Sequence, residues 1–123
     1  MFVSFSVISE VVNRIIRIEH GKYKENTGNK IRFKPYRNSP EGEEALSDIY
    51  LIFREMILPQ FEFIPQDFNK EDVEDFLHYD ELDFNDKAIQ NICQQNDFVL
   101  LTNDIDFRES NVDIISGHPA YFK

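Results

Sequence analysis

The chain has 123 residues, 41% of them hydrophobic and 14% aromatic, so it is long enough for one folded domain and is not disordered by composition. No apolar run approaches the roughly 20 residues of a membrane helix, and no basic region precedes the apolar N-terminus, so neither a membrane span nor a signal peptide is expected. The net charge of −10 argues against simple electrostatic binding of nucleic acid by the chain as a whole. Cys93 is the single cysteine, so an intramolecular disulfide is excluded, which fits a cytoplasmic protein.

The first half of the chain predicts two helices joined by a loop. Residues 7–18 carry apolar side chains at the spacing of one helix face, with Ser6 as the cap and Gly21 at the end. The stretch 26–39 lacks periodicity and predicts a loop. Ser39 followed by Pro40 is typical of a helix start and predicts a second helix, which Pro59 would end.

The charges in this half of the chain are unevenly distributed. Residues 14–37 contain eight basic and two acidic residues, a net charge of +6, whereas the remainder has five basic and 21 acidic residues, a net charge of −16. We therefore predict a basic loop insertion at about 20–39 on an acidic body. Two interpretations stay open: a solvated surface loop, or an arm that tracks a phosphate backbone, with Phe33 and Tyr36 as stacking groups.

The second half predicts helices that alternate with short strands. A short strand is expected at 61–64, then a helix capped by Asn69, then a helix that begins near Asn85 or Asp86. Two more strands are expected, at 98–101 and at about 113–116. This alternation is typical of an α/β domain with a mainly parallel sheet, and we expect a single domain over residues 1–123.

The strand at 98–101 leads directly into a group of polar residues. Four consecutive apolar residues, Phe98 to Leu101, favour a strand buried on both faces. Thr102, Asn103, Asp104 and Asp106 follow, and the carboxyl ends of parallel strands are where sites are built. The segment therefore predicts either a metal or catalytic site or the cap of a short helix, and by itself does not choose between them.

Three acids stand at positions that suit a metal site. Glu10 lies among apolar residues of the first predicted helix, Asp86 lies at the start of the fourth, and Asp104 follows the strand. Carboxylates that converge repel one another, and a bound Mg²⁺ or Mn²⁺ removes that conflict. Each acid also has a structural interpretation: Glu10 as a partly exposed helical acid and Asp86 as a helix cap. Asp106 is either a turn former or a secondary ligand.

Three segments together resemble the PIN domain, a nuclease family that includes the VapC-like toxins of toxin–antitoxin pairs. Residues 7–14 and 83–89 are similar to the two acidic helices of that family, and residues 101–107 are similar to its strand followed by Thr-x-Asp-x-Asp-Phe. The three segments occur in the family's order. The resemblance implies an α/β fold, a three-layer α/β/α arrangement around a short, mainly parallel central sheet.

The resemblance also implies roles for individual residues. Glu10, Asp86 and Asp104 would be the catalytic metal ligands, with Asp106 assisting, and Thr102 would hydrogen-bond a ligand or a water on the metal. The family usually opens with a central strand that ends in its first aspartate. Only residues 1–5 precede the first predicted helix here, and none is acidic, so we expect that strand and that aspartate to be missing.

The function that the resemblance implies is a metal-dependent endoribonuclease, the toxin of a toxin–antitoxin pair, with Mg²⁺ or Mn²⁺ as cofactor. Its expected partners are single-stranded RNA, contacted by Arg14, Lys34 and Arg37, an antitoxin protein and a second copy of the chain, with no membrane. The alternative is a degenerate or truncated PIN-like binding module that has lost catalytic activity.

Overall fold

The structure, a computed structural model that describes residues 1–122, is mainly helical. Helices and helical turns hold 64% of the residues and strands only 8%, and the strands described form two separate parallel pairs. The predicted three-layer α/β/α fold is therefore wrong, because a pair of two- or three-residue strands offers no central sheet on which helices could form layers. The chain divides into two compact units, residues 1–65 and a unit that begins at Gln66.

The first helix is much longer than its sequence pattern predicted. Helix α1 spans Phe5–Thr27, and its cap is Ser4, whose side chain accepts a hydrogen bond from the Val7 amide, rather than Ser6. Gly21 does not end the helix; Gly28 does, in the left-handed conformation at φ 70° that glycine adopts without strain. The helix continues past Gly21 because its core-facing side continues: His20 is buried and Tyr23 is half-buried.

The predicted basic loop at about 20–39 is also corrected. Its first part belongs to α1, and a short helix α2 spans Phe33–Arg37. The cap–proline prediction is confirmed: helix α3 spans Pro40–Ile52, with the Ser39 side chain accepting from the Gly42 amide at 3.2 Å. Ile16, Tyr36 and Ile49, one from each helix, form the buried core of this unit.

Beyond α3 the first unit ends in two turns and a short strand. A π-helical turn over Phe53–Ile57 and a 3₁₀ turn over Leu58–Gln60 lead to strand β2, which spans Glu62–Ile64 and confirms the strand predicted there. Strand β2 pairs in parallel with β1, Phe2–Ser4, and Val3 lies opposite Phe63.

The second unit contains two helices and the other strand pair. Helix α4 spans Lys70–Phe76 and begins with a capping box in which Asn69 and Asp72 bond each other's backbone amides, as the Asn69 cap predicted. Helix α5 spans Phe84–Asn96. The Phe76 ring meets the rings of Phe68 and Phe84 edge to face, which ties the two helices together.

The last strands are shorter and more exposed than predicted. Strand β3 spans Leu100–Leu101 and pairs in parallel with β4, Ile114–Ile115, with a 3₁₀ turn over Ile105–Glu109 between them and another over Pro119–Phe122 after β4. Val99 is 52% exposed and Leu101 is 64% exposed, so this strand is not buried on both faces. A sheet of two strands leaves an apolar run without a second covering layer.

None of the helices that the structure describes is both long and apolar enough to cross a membrane.

Candidate metal centre

The start of α5 places one carboxylate inside the second unit. Asp83 is the N-cap, and its Oδ1 accepts a hydrogen bond of 2.8 Å from the amide of Asp86. Asp86 is therefore not the cap; it lies in the first turn and is only 5% exposed. A carboxylate this deeply buried loses hydration, so its charge needs compensation from nearby groups or a cation.

The segment after β3 presents the other two acids. The Asp104 amide donates to Thr102 Oγ1 at 3.0 Å, and Asp104 Oδ1 accepts from the Asp106 amide at 2.9 Å, which begins the 3₁₀ turn. The Tyr121 hydroxyl donates to the backbone carbonyl of Asp104. The cap interpretation of Asp104 is confirmed, and the same bonds hold the Asp104 side chain and the backbone of Asp106.

The three carboxylates converge. One oxygen from each of Asp86, Asp104 and Asp106 lies within 4.8 Å of the others. Negative charges this close repel one another, and a cation bound between them would relieve that repulsion. The donor set is made only of carboxylate oxygens, which hard cations such as Mg²⁺ and Mn²⁺ prefer, so these residues fit the predicted metal.

The electrostatics of the neighbourhood agree with a concentrated negative charge. Burial, and after it the negative charges of Asp104 and Asp106, raise the pKa of the Tyr121 hydroxyl above its ordinary value of 10.0. Tyr121 is therefore a neutral hydrogen-bond donor at physiological pH, and it holds the backbone of Asp104 without adding another negative charge.

A cavity of about 260 Å³ opens beside Asp106. Its wall carries three further acids, Asp80, Glu81 and Glu109, together with the amide side chain of Gln90. The four acids of this wall would repel a phosphate group, and a cation bound there would offset that repulsion. The cavity therefore suits an anionic substrate only in combination with a metal ion.

A buried lysine organises the segment before α5. The ammonium of Lys87, whose side chain is 7% exposed, donates to the carbonyls of Phe76, at 3.0 Å, and His78, and lies 3.6 Å from the Asp80 carboxylate. These contacts tie the end of α4 to the residue that follows Asp86. Desolvation alone would raise the pKa of Asp80, but the Leu82 amide, Lys87 and His78 outweigh it and lower that pKa.

The remaining predicted site residues belong to the first unit. Glu10 lies on α1 with a side chain 43% exposed, and its carboxylate is 3.5 Å from the guanidinium of Arg14. These surroundings match the structural interpretation of Glu10, while its role as a ligand stays a prediction. Lys34 and Arg37 lie on α2 and are exposed, as is Arg14.

Three residues of the second unit were missed in the sequence: Asp83, Lys87 and Tyr121. An acid three residues before Asp86 at the head of an apolar helix is a capping signal, so Asp83 had a readable pattern. No sequence pattern pointed to Lys87 or Tyr121, because both donate to backbone carbonyls that are far away in sequence.

Comparison of the chain with models of known protein families, with characterised proteins and with solved structures gave no match.

Proposed function

We propose that this chain is a divalent-metal-dependent endoribonuclease whose metal ligands are Asp86, Asp104 and Asp106. The observation that carries the proposal is the convergence of one oxygen from each carboxylate within 4.8 Å. The substrate class, single-stranded RNA, rests on the resemblance of three segments to the PIN family. A toxin role, an antitoxin partner and action in the cytoplasm rest on that same resemblance.

Each residue has a distinct task in this proposal. Asp86, 5% exposed, holds the inner side of the centre, and the 3₁₀ turn that Asp104 caps presents Asp106 beside the cavity. Tyr121 keeps the Asp104 backbone in place. When bound, Mg²⁺ or Mn²⁺ would supply charge neutralisation at the scissile phosphate and a water molecule of lowered pKa.

The test combines metal binding with cleavage by the full chain. Mn²⁺ binding is measured by calorimetry, and cleavage is measured with a fluorogenic single-stranded RNA with and without EDTA. We expect Asp104→Asn and Asp86→Asn to lose both, whereas Asp67→Asn, an exposed acid of the same unit outside the cluster, should keep both.

Other results would contradict the proposal. Cleavage that persists in EDTA or in Asp104→Asn would remove these acids from the reaction. A chain whose Mn²⁺ binding depends on the three acids but that cleaves no single-stranded RNA would contradict the enzyme. That result would favour the alternative, a binding module that keeps the metal centre.

A further inference from the structure

The exposed basic residues of the first unit are concentrated in one segment of the chain. We call residues 14–37, the latter part of α1 with α2 and their connection, the basic hairpin. All eight of its basic residues are exposed: Arg14, Arg17, Lys22, Lys24, Lys30, Arg32, Lys34 and Arg37. The first unit as a whole holds nine basic and nine acidic residues and is neutral, so its positive charge is concentrated in the basic hairpin. The unit that begins at Gln66 has four basic and fourteen acidic residues, which leaves −10.

The basic hairpin is held by packing and hydrogen bonds rather than being the loop that the sequence predicted. His20, 8% exposed, donates from Nε2 to the Ile31 carbonyl at 2.8 Å and stacks on Tyr36, with ring centroids 5.1 Å apart. Thr27 and Asn29 accept amide hydrogen bonds that order the connection between the helices. The exposed cations therefore project from an ordered backbone, which lowers the entropy lost when they bind a ligand.

One aromatic group of the basic hairpin lies at the surface beneath a cation. The guanidinium carbon of Arg17 lies 4.1 Å from the ring centroid of Phe33, which is half-buried. Tyr36 is 3% exposed and belongs to the core, so the stacking role predicted for it is wrong. Arg17 over Phe33 is thus a cation–aromatic pair, and both a guanidinium and an aromatic ring are groups on which unpaired bases stack.

We propose that the basic hairpin is a metal-independent docking surface for single-stranded RNA. Arg14, Lys34 and Arg37 contact phosphates, and an unpaired base stacks on Arg17 over Phe33. The proposal shares with the proposed function only the choice of RNA; it needs none of the three acids of the metal centre. A single strand is favoured over an acidic protein or a lipid surface because the planar guanidinium–aromatic pair matches a nucleobase, which those partners do not supply.

The test measures equilibrium binding of the full chain to a labelled single-stranded RNA by fluorescence anisotropy, in EDTA and at several salt concentrations. The RNA has about 12 nucleotides, a length that one binding surface can cover. We expect the Arg14→Ala, Lys34→Ala, Arg37→Ala triple variant to bind at least roughly tenfold more weakly, with a shallower salt dependence because fewer counterions are released. Arg17→Lys keeps the charge but loses the planar platform, so binding should weaken about fivefold with an unchanged salt slope.

Matched controls distinguish RNA binding by the basic hairpin from a general effect of charge and from any effect of the metal centre. Arg54 is an exposed arginine of the same unit outside the basic hairpin, and Arg54→Ala should change binding by less than about twofold. Asp104→Asn should bind RNA as the wild type does, even where it has lost cleavage. A wild-type chain that docks RNA but does not cleave it would contradict the proposed function and leave this proposal standing.

Three outcomes would overturn the proposal. Weakening of RNA binding by Arg54→Ala equal to the average effect per residue of the triple variant would show that only net charge matters. Equal affinity of an anionic lipid vesicle or of duplex RNA for the chain would show that unpaired bases are not recognised. Unchanged binding in Arg17→Lys, with native circular dichroism, would remove the stacking platform.

Discussion

The amide of Asp106 donates a hydrogen bond of 2.9 Å to the carboxylate of Asp104, and both residues belong to the acidic cluster with Asp86. The Asp104 side chain therefore has two tasks, one in the backbone of the 3₁₀ turn and one in the cluster. Substitution of Asp104 by asparagine and by alanine separates these tasks, because an amide side chain still accepts the hydrogen bond of the turn but carries no negative charge.

Asp104→Asn should keep the 3₁₀ turn and lose the Mn²⁺ affinity that we propose for the cluster. The asparagine Oδ1 still accepts from the Asp106 amide, so we expect the free energy of unfolding to change by less than about 0.5 kcal/mol. Asp104→Ala removes the cap as well and should cost about 1 kcal/mol. Urea unfolding gives the stabilities and calorimetry the Mn²⁺ affinity, which both variants should lose. Equal destabilisation by the two variants would contradict the separation of tasks.

Lys87→Met should destabilise the second unit by about 3 kcal/mol, since one buried and one partly buried carbonyl lose their hydrogen-bond donor. The substitution keeps most of the buried side-chain volume but leaves the carbonyls of Phe76 and His78 without their donor and Asp80 without its cation. Lys70→Met, at an exposed lysine of α4, is the control and should change stability by less than about 0.5 kcal/mol. Urea unfolding of both variants measures the difference, and similar values for the two would show that the Lys87 contacts contribute little.

Asp80→Asn should reduce stability at neutral pH but not in acid. The amide side chain of the variant keeps an acceptor for the Leu82 amide, so the substitution removes mainly the charge that faces Lys87 and His78. The pKa of Asp80 is lower in the folded chain than its ordinary value, so its stabilising contribution is present above about pH 4 and is lost as the pH falls through the folded pKa. The gap between wild type and variant, followed by urea unfolding from neutral pH downward, should therefore close in acid. A gap that widens in acid would reverse the sign assigned to Asp80.

Two glycine substitutions should act in opposite directions. A Cβ at Gly42 would lie 2.0 Å from the Tyr36 carbonyl oxygen, so Gly42→Ala forces α2 and α3 apart and should cost about 3 kcal/mol. Nothing lies within 4 Å of a Cβ at Gly21, in the middle of α1, so Gly21→Ala should stabilise the chain by about 1 kcal/mol. Thermal unfolding compares the two variants. A stabilising Gly42→Ala would mean that α2 does not pack closely against the start of α3.

Local signals in the sequence predicted several elements correctly. The Ser39–Pro40 pair, the Asn69 cap and the strand at 61–64 act through neighbouring residues, so a short segment contains the whole cause. The end of α1 was mispredicted because Gly21 is only a mild helix breaker, with a cost of about 1 kcal/mol that packing can exceed. The three-layer fold was expected from the family resemblance, and the strand buried on both faces from the apolar run at 98–101. Such a run predicts burial, but only the rest of the fold supplies the layer that buries it.

The candidate site likewise has features that local sequence predicted and features that only the tertiary structure shows. The sequence by itself predicted that a helix begins near Asn85 or Asp86 and offered a short helix capped at 102–104 as one of two interpretations, since each of these depends on residues a few positions away. Only the tertiary structure decided that Asp86 meets the other two acids, that Lys87 is buried among carbonyls and that Tyr121 bonds the backbone of Asp104. Those contacts join residues that are distant in sequence, and their free energy comes from packing and desolvation, which no local pattern contains.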